Sequence, residues 1–297
     1  MRIVSLLPST TEILFAIGAG DDVVGVTFEC DYPPEARSRR IVSNTALPYG
    51  LSPAEIDAVV KERIAAGEDL YRLDDGALRD LDPDIVVTQD LCAVCAVDVS
   101  TVDDALEHLG CRAEVVTIDP MRLDEVIESI TLLGQVTGHE PEAQQITGSL
   151  RSWLASIGDA VRHERRRRVA VLEWTDPLFS SGHWVPDLVD AAGGQSVIGE
   201  SGQRSHQIDS KTVADADPEI VVVAPCGYRL DGATELARRL HDEGALPQGA
   251  QVWAVDADAM FVRPGPRLVD GVETLAGICH PRLFPNRDDA SVLVTAG

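Results

Sequence analysis

Short runs of Val, Ile and Leu recur along the chain, separated by stretches in which apolar residues return every three or four positions. The runs predict strands and the 3.6-residue spacing predicts amphipathic helices. In the first half the pattern places strands at Arg2–Leu6, Val23–Thr27, Ile85–Thr88 and Ala113–Ile118. Helices are expected from Ser9, from Ser52 to about Ala66, and over Ser100–Leu109. Ser9 with Glu12, and Ser52 with Glu55, each have the spacing of a capping box, and Pro53 suits a first helical position. In the second half, strands are expected at Val169–Trp174, Ile220–Ala224 and Val252–Asp256, and helices at Val185–Ala192, Asp231–Glu243 and Pro266–Ile278. The residues after Asn286 read as a loosely ordered tail. Near-continuous apolar strands alternating with helices predict an α/β fold with parallel sheets covered on both faces.

Between the halves, Leu123 to Arg167 keeps helical spacing, with interruptions near Gly138 and Pro141. From Pro141 to Arg167 a single helix of about 27 residues would be roughly 40 Å long. Its closing run, Arg165 to Arg168, would then face the negative end of the helix dipole. The stretch Asp82-Pro83-Asp84-Ile85-Val86-Val87 is echoed by Asp217-Pro218-Glu219-Ile220-Val221-Val222. Two similar halves flanking a long helix is the economical arrangement. The expected division is an N-terminal α/β lobe over 1–138, a linking backbone helix over 139–167 and a C-terminal α/β lobe over 168–297. Both lobes would be Rossmann-like.

Composition changes the picture in two ways. The 297 residues, 44% of them hydrophobic, suffice for two cores, but aromatics are only 4%, so Val, Leu, Ile and Ala must fill them. The formal net charge is −24, from 49 acidic and 25 basic residues, and the only lysines are Lys61 and Lys211. Such a surface repels phosphate backbones and anionic lipid, so neither nucleic acid nor a membrane surface is an expected partner. It also fits solubility in concentrated salt.

The opening residues Met1 to Pro8 read as a strand rather than a secretion signal, because the apolar run is too short. There is no stretch of about 18 apolar residues to span a bilayer. A cytoplasmic, monomeric protein is therefore expected, and a transporter partner is left without support.

The segment Ile3-Val4-Ser5-Leu6-Leu7-Pro8-Ser9-Thr10-Thr11-Glu12, the paired Asp-Pro-acidic-Ile-Val-Val strands and the closing Pro264-Gly265-Pro266-Arg267-Leu268-Val269-Asp270-Gly271 carry a chain-wide likeness. In their order and spacing the sequence resembles the helical-backbone class of periplasmic substrate-binding proteins, which serve transporters of cobalamin, ferric siderophores and haem. Within that class it is most similar to cobalamin-binding proteins. The resemblance implies two lobes joined by a rigid helix, with a ligand between them and small hinge motion.

Candidate chemistry gathers where strands end, the edge at which parallel α/β sheets bind ligands. Cys30, the Cys92-Ala93-Val94-Cys95 pair and Cys226 all follow predicted strands, and four such thiols suit tetrahedral zinc or an iron–sulfur cluster. Cys111 and Cys279 read as inert small hydrophobes. Tyr32 and Tyr228 lie two residues beyond cysteines. Trp174 and Trp184 offer aromatic faces for a planar macrocycle, Trp184 being read as exposed and Trp174 as either exposed or core. His183 is a candidate ligand or hydrogen-bond donor. Arg263 and Arg267, held by prolines, suit a carboxylate or phosphate. No phosphate loop, metalloprotease helix or nucleophile elbow is present, so catalysis is not expected. Two functions follow: a binder of cobalamin or a related metallated compound, or a metalloprotein carrying Cys-ligated zinc or iron–sulfur with a redox, sensing or enzymatic role.

Overall fold

A computed structural model describes residues 1–66, 68, 70–73, 78, 80–89 and 113–297. The helix expected at Ser100–Leu109, and with it Cys92, Cys95 and Cys111, lies outside the described residues. The chain divides into two compact units, Met1–Asp119 with Ile127–Thr147, and Pro120–Val126 with Gly148–Gly297.

In the first unit, strands β1 (Ile3–Ser5), β2 (Val23–Thr27), β3 (Arg40–Thr45), β4 (Tyr71–Leu73), β5 (Ile85–Thr88) and β6 (Glu114–Thr117) form one sheet. Its order is β4-β3-β2-β1-β5-β6. All neighbours are parallel except β3 and β4. Val4, Leu6, Val42 and Val86 pack with Leu78 and Leu81. Helices α1 (Pro8–Ala16) and α2 (Pro53–Ala66) follow β1 and β3 in the chain.

Ser9 does not cap α1. The helix begins one residue earlier, at Pro8, with Leu7 in the capping position and no side-chain cap. Ser9 is buried, and the Thr10 and Thr11 hydroxyls both donate to the Leu7 carbonyl. The second expected capping box is present: the Ser52 N–H donates to Glu55 at 2.8 Å and the Glu55 N–H approaches Ser52 Oγ at 3.4 Å.

The second unit holds β7 (Arg168–Thr175), β8 (Leu178–Ser180), β9 (Gln195–Ser196), β10 (Ile220–Val223), β11 (Gln251–Val255) and β12 (Ser291–Thr295). The order is β12-β11-β10-β7-β8, with β9 also paired to β7. The residues expected to form a loose tail thus make an antiparallel edge strand against β11. Strand alternation splits the core between two faces. Val169, Val171, Ile220 and Val222 pack on one face with Leu188 and Leu275. Ala170, Leu172, Val221, Val223 and Val252 face the other way, with Ala233 and Ala237. Both sheets are therefore mixed at their edges rather than wholly parallel.

The helical stretch between the halves is two helices, α3 (Leu123–Thr137) and α4 (Glu140–Val161), and the unit boundaries fall inside both. The second helix stops at Val161, short of the arginines, because Arg168 already begins β7. The run therefore does not serve a helix dipole. Arg165 pairs with Glu219, Arg166 with Asp190, and Arg168 Nε donates to the Asp217 carbonyl at 2.9 Å. The remaining α-helices among the described residues are α5 (Val185–Ala191), α6 (Ser210–Asp215), α7 (Leu230–Asp242), α8 (Ala257–Met260) and α9 (Leu268–Cys279).

The sequence echo is a structural repeat. Asp82 and Asp217 share left-handed φ values of 39° and 44°. The Asp84 carboxylate accepts the Arg2 N–H at 2.8 Å, and the Glu219 carboxylate accepts the Arg168 N–H at 3.1 Å. Asp84 N–H donates to the Arg2 carbonyl as Glu219 N–H does to Arg168. An acidic residue after Asp-Pro thus ties the start of each central strand to its neighbour in both units.

Candidate functional site

In the first unit, polar side chains collect where β1 and β2 end. Ser5, Thr10, Thr11, Thr27 and Cys30 are all buried, Cys30 to 2% exposure. Thr11 Oγ1 lies 2.8 Å from Ser5 Oγ, and Cys30 Sγ lies 3.0 Å from Thr11 Oγ1 and 3.3 Å from Thr27 Oγ1. The Cys30 thiol is thus a member of a hydroxyl network. Tyr32, two residues on, is 45% exposed.

In the second unit, β7, β10 and β11 are parallel, so their carboxyl ends share one edge. That edge carries most of the expected binding residues. The rings of Trp174 and Tyr228 meet edge to face, 5.9 Å between centres. Both are partly buried. Tyr228 is seated against α7, where a Cβ on Gly232 would come within 2.9 Å of its ring, and burial pushes the phenol pKa up. Cys226 is exposed at the end of β10, and its N–H donates to the Glu173 carbonyl at 3.1 Å.

Arg263 and Asp258 form an ion pair at 2.9 Å, with both side chains largely buried. The Asp258 N–H donates to the Tyr228 carbonyl at 3.1 Å. Burial raises the Asp256 pKa, with neighbouring Asp258 acting in the same direction and Arg229 and Arg267 opposing. Arg263 and Arg267 therefore sit in a mixed-charge group beside the aromatic pair, with Arg263 already engaged by Asp258.

Trp184 departs from the sequence reading. It is only 7% exposed, belongs to the core, and its Nε1–H donates to the Phe261 carbonyl at 2.7 Å. The apolar environment of Val185, Leu188 and Phe261 outweighs any exposure suggested by Gly182 and His183 next to it. His183 is partly buried with a left-handed φ of 50°, its ring 5.6 Å from that of Trp184. Burial, then the charge of Arg204, lowers its pKa.

Glu173 was not among the sequence-derived candidates. Its carboxyl accepts the Gly182 N–H at 2.8 Å and bonds the Ser205 side chain, and burial raises its pKa to about 7. The available signal was a lone carboxylate directly after the apolar run Val169-Ala170-Val171-Leu172.

Among the described residues, no three His, Cys, Asp or Glu side chains converge as a metal site. Cys92 and Cys95 lie outside the described residues, so the four-cysteine site receives no support. No helix among the described residues is long and apolar enough to cross a membrane.

The fold is shared with solved structures. A periplasmic heme binding protein from Pseudomonas aeruginosa superposes with a TM-score of 0.73 at 20% identity, covering 99% of this chain and 98% of that one. The periplasmic vitamin B12 binding protein BtuF of Vibrio cholerae gives 0.65 at 22% identity, covering 93% and 94%. At these identities the likeness concerns the fold.

In sequence, the chain is 25% identical over 296 residues to YvrC of Bacillus subtilis, an uncharacterized ABC transporter substrate-binding lipoprotein, covering 95% of this chain and 81% of that protein. It is 26% identical over 235 residues to a vitamin B12-binding protein of Yersinia pestis, covering 78% and 72%. These periplasmic and lipoprotein relatives overturn the cytoplasmic assignment. That assignment rested on residues that form β1 and the start of α1, and parts of a fold carry no information about compartment. The profile of the periplasmic binding protein family matches residues 3–241, and the chain belongs to that family.

Proposed function

We propose that this protein captures a large metallated macrocycle outside the cytoplasmic membrane and delivers it to an ABC transporter, with a corrinoid such as cobalamin as the ligand. The observation that carries the reading is the Trp174–Tyr228 pair on the carboxyl edge of β7 and β10. Aromatic faces there provide apolar area for a planar ring system, and carboxyl ends are where open α/β sheets receive ligands. The neighbouring Arg263, Arg267 and Asp258 supply polar groups for the substituents of such a ring. The vitamin B12-binding relatives, at 26% identity, favour a corrinoid.

The test is parallel titration of the purified protein with cyanocobalamin and with hemin, followed by absorbance and calorimetry. Cyanocobalamin is expected to bind with Kd on the order of micromolar or tighter. Binding of hemin alone would overturn the corrinoid assignment. Binding of neither would overturn the macrocycle reading as well.

A further inference from the structure

Each end of α4 is fixed within its own unit. In the first unit, α4 packs so closely on α3 that a Cβ on Gly134 would run into Ala143, and Thr147 is buried. In the second, Ile157 belongs to the core, and Val161 packs on Gly193, where an added Cβ would come within 2.7 Å of it. Between these anchors the helix is bare, for none of residues 148–156 is buried. The unit boundary falls between Thr147 and Gly148, where the first anchor ends.

The residues at that boundary are poor helix formers. Ile146-Thr147-Gly148-Ser149 sets two β-branched residues, a glycine and a serine in succession. Nothing in the packing calls for glycine at 148, since a Cβ there would meet no atom within 4 Å. The Thr147 hydroxyl donates to the Gln144 carbonyl at 3.2 Å. Helix geometry assigns that same carbonyl to the Gly148 N–H, so one acceptor is shared, and back-bonding of this kind weakens and bends helices. The other boundary, at Val126 and Ile127 in α3, differs: both side chains there are buried.

We propose that α4 is jointed at Thr147–Gly148, flexing there while it stays helical, so that its two ends move as separate rigid pieces. A helical stretch without buried contacts is held by its backbone bonds alone, and glycine leaves those bonds the most freedom where they are least supported. The joint is a property of the connecting helix and does not depend on which ligand is bound. A rigid rod, the arrangement that the family likeness implies, is the alternative to be separated from it.

The test is N–H residual dipolar couplings of the ligand-free protein, compared with Gly148→Ala and Gly158→Ala. Gly158 lies inside the second anchor, and a Cβ there also meets nothing within 4 Å, so both substitutions gain similar helix propensity. Couplings from residues 140–147 with the first sheet, and from 149–161 with the second, are each fitted to an alignment tensor. The wild type is expected to give two tensors of different magnitude, the mark of independent motion. Gly148→Ala should bring the magnitudes together, and Gly158→Ala should leave them apart. Amide exchange over residues 145–152 should slow about two- to fivefold in Gly148→Ala and stay unchanged in Gly158→Ala. Equal magnitudes in the wild type, or the same response in both variants, would overturn the joint. The wild-type couplings decide the question even if a variant fails to fold.

Discussion

The indole of Trp174 and the phenol ring of Tyr228 stand at 64° to each other with centres 5.9 Å apart, an edge-to-face contact between the ends of two adjacent parallel strands. Each ring supports the other, and the contact joins the residue after Glu173 to the turn after Cys226. If these rings receive the ligand, Trp174→Ala should weaken cobalamin binding by about 10- to 100-fold, equivalent to about 1.4–2.8 kcal/mol. Tyr228→Phe keeps the ring and should cost less than Tyr228→Ala. Calorimetric titration of the three variants checks the order, and an unchanged Kd in Trp174→Ala would remove the pair from the site.

Glu173 should leave a mark on stability. Its folded-state pKa of about 7 lies above the ordinary value of 4.5. The folded protein therefore holds a proton that the unfolded chain has lost between these values. The contribution is fully present below about pH 4.5, declines as pH rises, and is gone above about 7, a loss of about 1–3 kcal/mol. Chemical denaturation at pH 5 and 8 should show this decline, and Glu173→Gln should reduce it. A decline of the same size in the variant would assign it to other groups.

Trp184 should behave as core. Trp184→Ala removes a large buried side chain and leaves the Phe261 carbonyl without its indole donor, a loss of about 3–5 kcal/mol. Trp184→Phe keeps most of the volume and should lose less. Denaturant unfolding monitored by circular dichroism gives both numbers, and a neutral Trp184→Ala would contradict the buried placement.

The thiols should differ in reactivity. Cys226 is exposed, whereas Cys30 lies in its hydroxyl network and burial pushes the Cys279 thiol up to about 12. A maleimide at pH 7.5 should label Cys226 in the native protein and reach Cys30 and Cys279 only on unfolding. Peptide mapping after timed labelling reads the order, and early modification of Cys279 would count against its burial.

Gly182 should tolerate no side chain. Gly182→Ala pushes a methyl group into the Ser205 backbone and should destabilise the protein by about 1–3 kcal/mol, measured as a shift of the denaturation midpoint.

Much of this architecture was legible in the residues. The apolar runs at Ile3, Val23, Ile85, Val169, Ile220 and Val252 all lie in strands, because a strand buried on both faces needs an unbroken apolar sequence. The Asp-Pro-acidic echo marked two units that repeat the same N–H to carboxylate bonds at Asp84 and Glu219. Strands at sheet edges were harder to read. The tail strand Ser291–Thr295 follows a polar stretch, and only pairing with β11 gives it a reason to be extended.

The chain's own pattern determined the α/β class, the internal duplication and the family likeness, since periodicity and local turn chemistry are properties of neighbouring residues. Only the tertiary structure decided which of two adjacent tryptophan environments is core, which thiol is sequestered among hydroxyls, and that a strand-end carboxylate is held by donors from residues 182 and 205. Burial and hydrogen-bond partnership come from segments far apart in sequence, so no local pattern encodes them.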